Sequence, residues 1–157
     1  MNKTDKFFLA RAVKLARENV VIGGGPFGAV IVKDGEVVAE SVNQVVAIPD
    51  PTAHAEIQAI RLAAINLKTF NLTGTTLYTS CEPCPMCLGA VYWSRISRIV
   101  FASDRNDADL AGFRDAELYE EIAQAPDKRH THFEQLDVPE KGFEFTDWKN
   151  SHIKIDY

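Results

Sequence analysis

The chain has few cysteines, no long apolar run, no excess of positive charge, and no repeat or low-complexity tract. Three cysteines in 157 residues cannot make a paired disulfide framework, which excludes a small stapled scaffold. The least charged stretch, Val20 to Val32, contains three consecutive glycines and Pro26. It falls well short of the roughly 20 apolar residues of a membrane-spanning helix, so no membrane partner is expected. Basic residues number 17 against 22 acidic ones, and residues 101–157 hold 7 of the former and 14 of the latter. An acidic C-terminal third argues against a broad phosphate-binding footprint and therefore against nucleic acid as partner. Met1-Asn2-Lys3-Thr4-Asp5 leads into a charged amphipathic segment rather than an apolar block with a small-residue cleavage site, so a cytoplasmic location is expected. What is present is ordinary globular composition, 46% hydrophobic and 25% charged, and residues 1–157 are long enough for one domain with a proper core.

Phe8, Ala12 and Leu15, with Leu9, Val13, Ala16 and Val20, recur at helical spacing and predict an amphipathic helix from about Thr4 to Asn19. Gly23-Gly24-Gly25-Pro26 ends it. Ala29 to Val32 and Val37 to Ala39 flank Asp34-Gly35, the local signal for an antiparallel hairpin with a type I′ turn. A second helix starts near Thr52, its expected N-cap, and carries Ile57, Ile60, Ala64 and Leu67. Thr75 to Thr79 reads as a buried strand, Pro85 as the first turn of a helix through about Trp93, and Arg98 to Phe101 as a fourth strand. Asp115 to Ala125 reads as helix and Thr131 to Val138 as a fifth strand, while the tail from Phe145 to Tyr157 is ambiguous between helix and coil. A hairpin followed by alternating helices and strands predicts a three-layer α/β/α sandwich on a mixed sheet of about five strands.

His54-Ala55-Glu56 opens the second helix, and Pro83-Cys84-Pro85-Met86-Cys87 opens the third, with Cys84 following His54 by 30 residues. One histidine and two cysteines make three protein ligands, the number that leaves a fourth position on a catalytic zinc for water. The alternatives are a redox Cys-x-x-Cys, a structural zinc completed by Cys81 or His132, and three unrelated buried residues. Helix N-termini favour the thiolate forms of Cys84 and Cys87. Glu56, two residues past His54, lies near the metal position without ligating it and is placed to move a proton from water to a substrate nitrogen.

H-x-E followed by P-C-x-x-C is a signature of zinc nucleobase deaminases. Pro26-Phe27-Gly28-Ala29-Val30, Asp50 to Glu56 and Thr79 to Ala90 match, in order, the blocks of the cytidine deaminase-like superfamily. Within it the chain resembles the small bacterial guanine deaminases essentially end to end. These blocks are shared with tRNA adenosine deaminases and other nucleoside deaminases and do not fix the substrate. Ala111-Gly112-Phe113-Arg114-Asp115 and the final Tyr157 resemble the late acidic residue and terminal tyrosine that close over the base in guanine deaminases.

The resemblance implies one zinc per subunit, held by His54, Cys84 and Cys87, and hydrolysis of guanine to xanthine and ammonia by zinc-bound hydroxide with Glu56 as proton shuttle. It implies that Asp115 helps protonate the departing amine. It also implies a homodimer in which the C-terminal segment crosses to the partner, so that Asp115 and Tyr157 act in trans. The substrates are then a purine base and water. Guanine presents N1–H and an amine, both donors, which suits a buried acceptor such as Asp115; adenine presents a bare N1 to it. Asn43 is expected to read the purine edge, Phe27 and Trp93 to sandwich its face, and the backbone N–H of Ala55 or Cys84 to bond the substrate. The alternatives are deamination of guanosine, cytosine, cytidine or tRNA adenosine, a non-catalytic zinc protein, and a thiol oxidoreductase.

Overall fold

A computed structural model describes residues 3–157. The described residues through Tyr119 form one compact unit, and Glu120–Tyr157 form a second.

The first unit holds α1 (Lys3–Val21), β1 (Gly28–Lys33), β2 (Glu36–Val42), α2 (Ala55–Leu67), β3 (Thr75–Cys81), α3 (Pro85–Trp93), β4 (Arg98–Ser103), α4 (Arg105–Leu110) and the start of α5 (Asp115–Ala123). The strands lie in the order β2-β1-β3-β4, with β1 antiparallel to both neighbours and β3 parallel to β4, so the sheet is mixed. Side-chain alternation along β1 separates two cores. Ala29 and Ile31 join Ala59, Ala63 and Leu77 beneath α2, whereas Val30 and Val32 join Phe8, Ala12 and Tyr78 beneath α1. The result is the expected sandwich of helix, sheet and helix.

The hairpin turns as its sequence dictates, with Asp34 at φ 51° and Gly35 at φ 84°, the two positive values of a type I′ turn. Gly28 is required for a different reason. A Cβ there would stand 2.4 Å from the Ala12 carbonyl oxygen, so α1 rests directly on the start of β1.

Two expectations are corrected. The sheet has four strands among the described residues, because 131–138 is irregular: the strands all fall within 28–103, and the second unit offers that segment no strand to pair with. His54 rather than Thr52 occupies the N-cap position of α2, without a capping side-chain bond, and the Thr52 hydroxyl donates instead to Asp50 Oδ1 at 2.7 Å in a turn. Helix α4 was not foreseen. It is set by Asp104, whose side chain accepts from the backbone of Asn106 and Asp107 while Asp107 answers to the Asp104 N–H.

The second unit contains the end of α5, a short 3-10 turn (Pro126–Lys128) and α6 (Phe143–Asn150), which resolves part of the ambiguous tail as helix. Glu121 accepts from the His130 N–H at 2.6 Å, and the Trp148 and Tyr157 rings meet edge-on at 6.1 Å. None of residues 120–157 is buried. Among the described residues no helix is long and apolar enough to cross a membrane.

Candidate functional site

Two helix starts converge on one point. His54 and Cys84 occupy the N-cap positions of α2 and α3, both with extended backbone, φ −65° and ψ 154° and 168°. Neither side chain caps its own helix; each turns to the other instead. The Nδ1 of His54 stands 3.6 Å from the sulfur of Cys84 and 3.6 Å from that of Cys87, one turn into α3. A tetrahedral zinc with Zn–N of about 2.05 Å and Zn–S of about 2.3 Å would hold its nitrogen and sulfur ligands about 3.6 Å apart. The donor set therefore fits one zinc ion. His54, Cys84 and Cys87 also form the sole group of three or more candidate metal ligands among the described residues. All three cysteines are free, which leaves no disulfide to compete for the pair. Cys81 points elsewhere, its thiol donating to the Asp104 carbonyl at 3.5 Å, and burial pushes it up to about 11.

The protons of the site are tightly shared. Cys84 accepts from Cys87 and from the His54 ring, which draws its thiol down to about 4, while the same bond and burial hold Cys87 in the protonated form. His54 is raised, chiefly by its bond to Cys84. Glu56 is fully buried, and that desolvation pushes its carboxyl up. Thr79 donates to Glu56 Oε1 at 3.3 Å, and the Cys87 thiol lies 3.6 Å from Oε2.

A cavity of about 520 Å³ opens over these groups. His54, Glu56, Cys84, Asn43, Phe27 and Asp115 all line it. Burial is the main cause that lifts the Asp115 carboxyl, followed by the nearby Cys84 sulfur. Asp115 lines the cavity together with His54 and Cys84 of the same chain. Asn43 accepts from the Val45 N–H at 3.2 Å, which fixes its amide beside the cavity. The buried Asn19 amide donates to both the Gly25 and Asn43 carbonyls, at 2.8 and 2.9 Å, and so ties the glycine-rich wall to the end of β2.

Ala55 is buried as the first residue of α2. Trp93 does not line the cavity: it is the last residue of α3 and 71% exposed. The ring that meets Phe27 is Phe113, edge-on at 4.8 Å, a contact that sequence reasoning missed although both residues stood in the matched blocks. Tyr157 belongs to the second unit. Sequence reasoning also missed Glu82, which lines the cavity with both carboxylate oxygens engaged by Arg105, the first residue of the unforeseen α4.

The family described as "Cytidine and deoxycytidylate deaminase zinc-binding region" matches residues 2–103. The guanine deaminase of Bacillus subtilis is 50% identical over 96% of this chain and 97% of its own. A tRNA-specific adenosine deaminase of Buchnera aphidicola subsp. Baizongia pistaciae is 46% identical over 66% of this chain and 64% of its own. Among solved structures, the X-ray structure of the B. subtilis guanine deaminase superimposes with a TM-score of 0.95 at 49% identity, covering 100% of this chain and 99% of that one. The converging helix starts, the His/Cys/Cys donors and these likenesses agree, and the chain belongs to the zinc-binding cytidine and deoxycytidylate deaminase family.

Proposed function

We propose that the protein hydrolyses guanine to xanthine and ammonia. The observation that carries this reading is the cavity that brings His54 and Cys84 of the metal donors, the buried Glu56 and Asp115 together, in a chain half identical to a guanine deaminase along nearly its whole length. A zinc ion held by His54, Cys84 and Cys87 supplies the Lewis acidity that makes water a nucleophile at neutral pH.

The chain's own residues do the rest. Glu56 takes the proton from the attacking water and delivers it to N3, a task suited to a carboxyl whose burial makes it hold a proton more readily. Water adds at C2; the new C2 hydroxyl then gives its proton to Asp115, which passes it to the exocyclic amine as C2=O forms and ammonia leaves. Before that, Asp115 accepts from N1–H and the amine, which selects guanine over adenine. Asn43 reads the purine edge, Phe27 covers a face of the base, and the N–H of Ala55 or Cys84 bonds the substrate.

The active protein is a cytoplasmic homodimer in which the C-terminal segment crosses to the partner and Tyr157 completes the partner's site. Support comes from the second unit itself: none of its residues is buried, yet it carries Phe133, Leu136, Phe145 and Ile153 at 54%, 72%, 74% and 91% exposure. Apolar side chains in that number need a cover.

The test is incubation of the zinc-loaded protein with guanine, guanosine, adenine, cytosine and cytidine separately, following ammonia and product spectra. Xanthine and ammonia from guanine alone are expected. Turnover of another base with guanine untouched overturns the reading.

A further inference from the structure

We infer that Arg105 and Tyr119 are positioning residues: with Glu82 and the Pro83 carbonyl they form a clasp that fixes Asp115 against the metal-binding end of α3. The kinetic side of this inference rests on the guanine reading.

Helix α5 contains no buried residue, so apolar packing does not place it. Its anchor is Tyr119, whose hydroxyl donates to the Pro83 carbonyl at 2.7 Å, next to the ligand position Cys84. The Arg105 guanidinium stacks over the face of that ring, its Cζ 3.6 Å from the ring centre. Arg105 is itself immobilised three ways on one carboxylate. Its Nε and Nη2 donate to Glu82 Oε2 and Oε1 at 3.0 and 2.5 Å, and its backbone N–H donates to Oε2 at 3.1 Å. The forked, charge-assisted geometry fixes direction as well as distance. Glu82 is held in turn, its N–H donating to the Ser103 carbonyl at 2.8 Å at the end of β4.

The clasp thus joins the exits of β3 and β4 to α5. Asp115 precedes Tyr119 by one helical turn, so the two share a face and the ring sets the direction of the carboxylate. The same bonds assign different work to the carboxylates around the cavity. Both oxygens of Glu82 are spoken for by Arg105, which leaves Glu56 and Asp115 to meet the substrate. Because Phe113 still packs on Phe27 just before the helix, loss of the Tyr119 hydroxyl releases the aim of Asp115 without freeing the whole segment.

The experiment uses the full-length, zinc-loaded protein. Tyr119→Phe keeps the ring and removes the hydroxyl; Arg105→Lys keeps the charge and removes the fork and the stack. Each is expected to lower kcat on guanine about three- to tenfold, the worth of one hydrogen bond, with zinc content unchanged. In an Asp115→Asn background the Tyr119→Phe loss is expected to vanish, because it acts through Asp115. A loss that persists in full there overturns the inference. Amide hydrogen exchange gives a readout without turnover. The amides of Leu118 and Tyr119 should exchange faster in both variants while those of α2 and β3 do not change; unchanged exchange at 118 and 119 overturns the clasp. Faster exchange in a protein whose wild type ignores guanine keeps the clasp and sinks the guanine reading alone.

Discussion

The Sγ of Cys87 stands 3.6 Å from Oε2 of Glu56. The buried carboxyl therefore borders the metal position while remaining outside the histidine and cysteine donor set. Replacing it by an isosteric amide should leave the metal in place and remove the proton carrier. Glu56→Gln is expected to keep one zinc per chain and lose guanine turnover by about 10²-fold or more. Metal analysis beside an ammonia assay checks both halves, and full activity in the variant would sink the proton-shuttle role.

Zinc retention should depend on pH with a definite sign. The bond to Cys84 and burial push the Cys87 thiol up and the bond to Cys84 raises the His54 ring, so both groups hold protons more readily and zinc binds in competition with those protons. Protons compete with the metal, and affinity is expected to rise with pH. Zinc held firmly near about pH 8 should be lost as pH falls toward about 5. Competition with a coloured chelator across that range, with proton release followed in weak buffer, reads the effect directly; affinity independent of pH would contradict it.

If Tyr157 serves the partner's site, two inactive chains should repair one another. A chain lacking its last residues and a chain carrying Glu56→Gln are each expected to be nearly inert. Mixed dimers refolded together should regain activity, since one of their sites joins an intact Glu56 to an intact terminus. The rate of the mixture against the separate proteins decides this. Full activity in the truncated chain alone would remove Tyr157 from the mechanism.

Stability rests in part on a clamp far from the site. Arg98 donates twice to Asp5, at 2.7 and 3.0 Å, and the buried Tyr78 hydroxyl donates to the same carboxylate at 2.8 Å. Asp5→Ala would strand that hydroxyl at a cost of about 1–3 kcal/mol. The melting temperature is expected to fall by roughly 3–9 °C. Guanine turnover at 25 °C should be unaffected, and a calorimetric scan beside the assay tests both statements.

Much of the first unit was legible because its signals are local. Asp34-Gly35 specifies its own turn and Pro85 its helix start. The metal donors were legible for the same reason, as three residue types at two helix starts. What escaped depends on distant partners. Thr131 to Val138 has a strand-like composition, but composition cannot provide an adjacent strand, and the segment is irregular. Thr52 looked like a cap until Asp50 took its hydroxyl. Trp93 and Phe113 are both aromatic, and only the fold decides that Phe113 meets Phe27 while Trp93 faces outward. Helix α4 did leave a trace, Asp104 followed three residues later by Asp107, which is a capping pair in a segment too polar to draw notice.

The hairpin has a practical use. Phe27 precedes β1 and Asn43 follows β2, so the Asp34-Gly35 turn lies at the opposite end of both strands. Six residues of β1, at roughly 3.3 Å each, put it about 20 Å from the cavity. A fluorophore, an affinity tag or a fused reporter grafted at that turn would leave the glycine-rich wall and the zinc donors untouched, which suits the protein to sensing a purine base in solution.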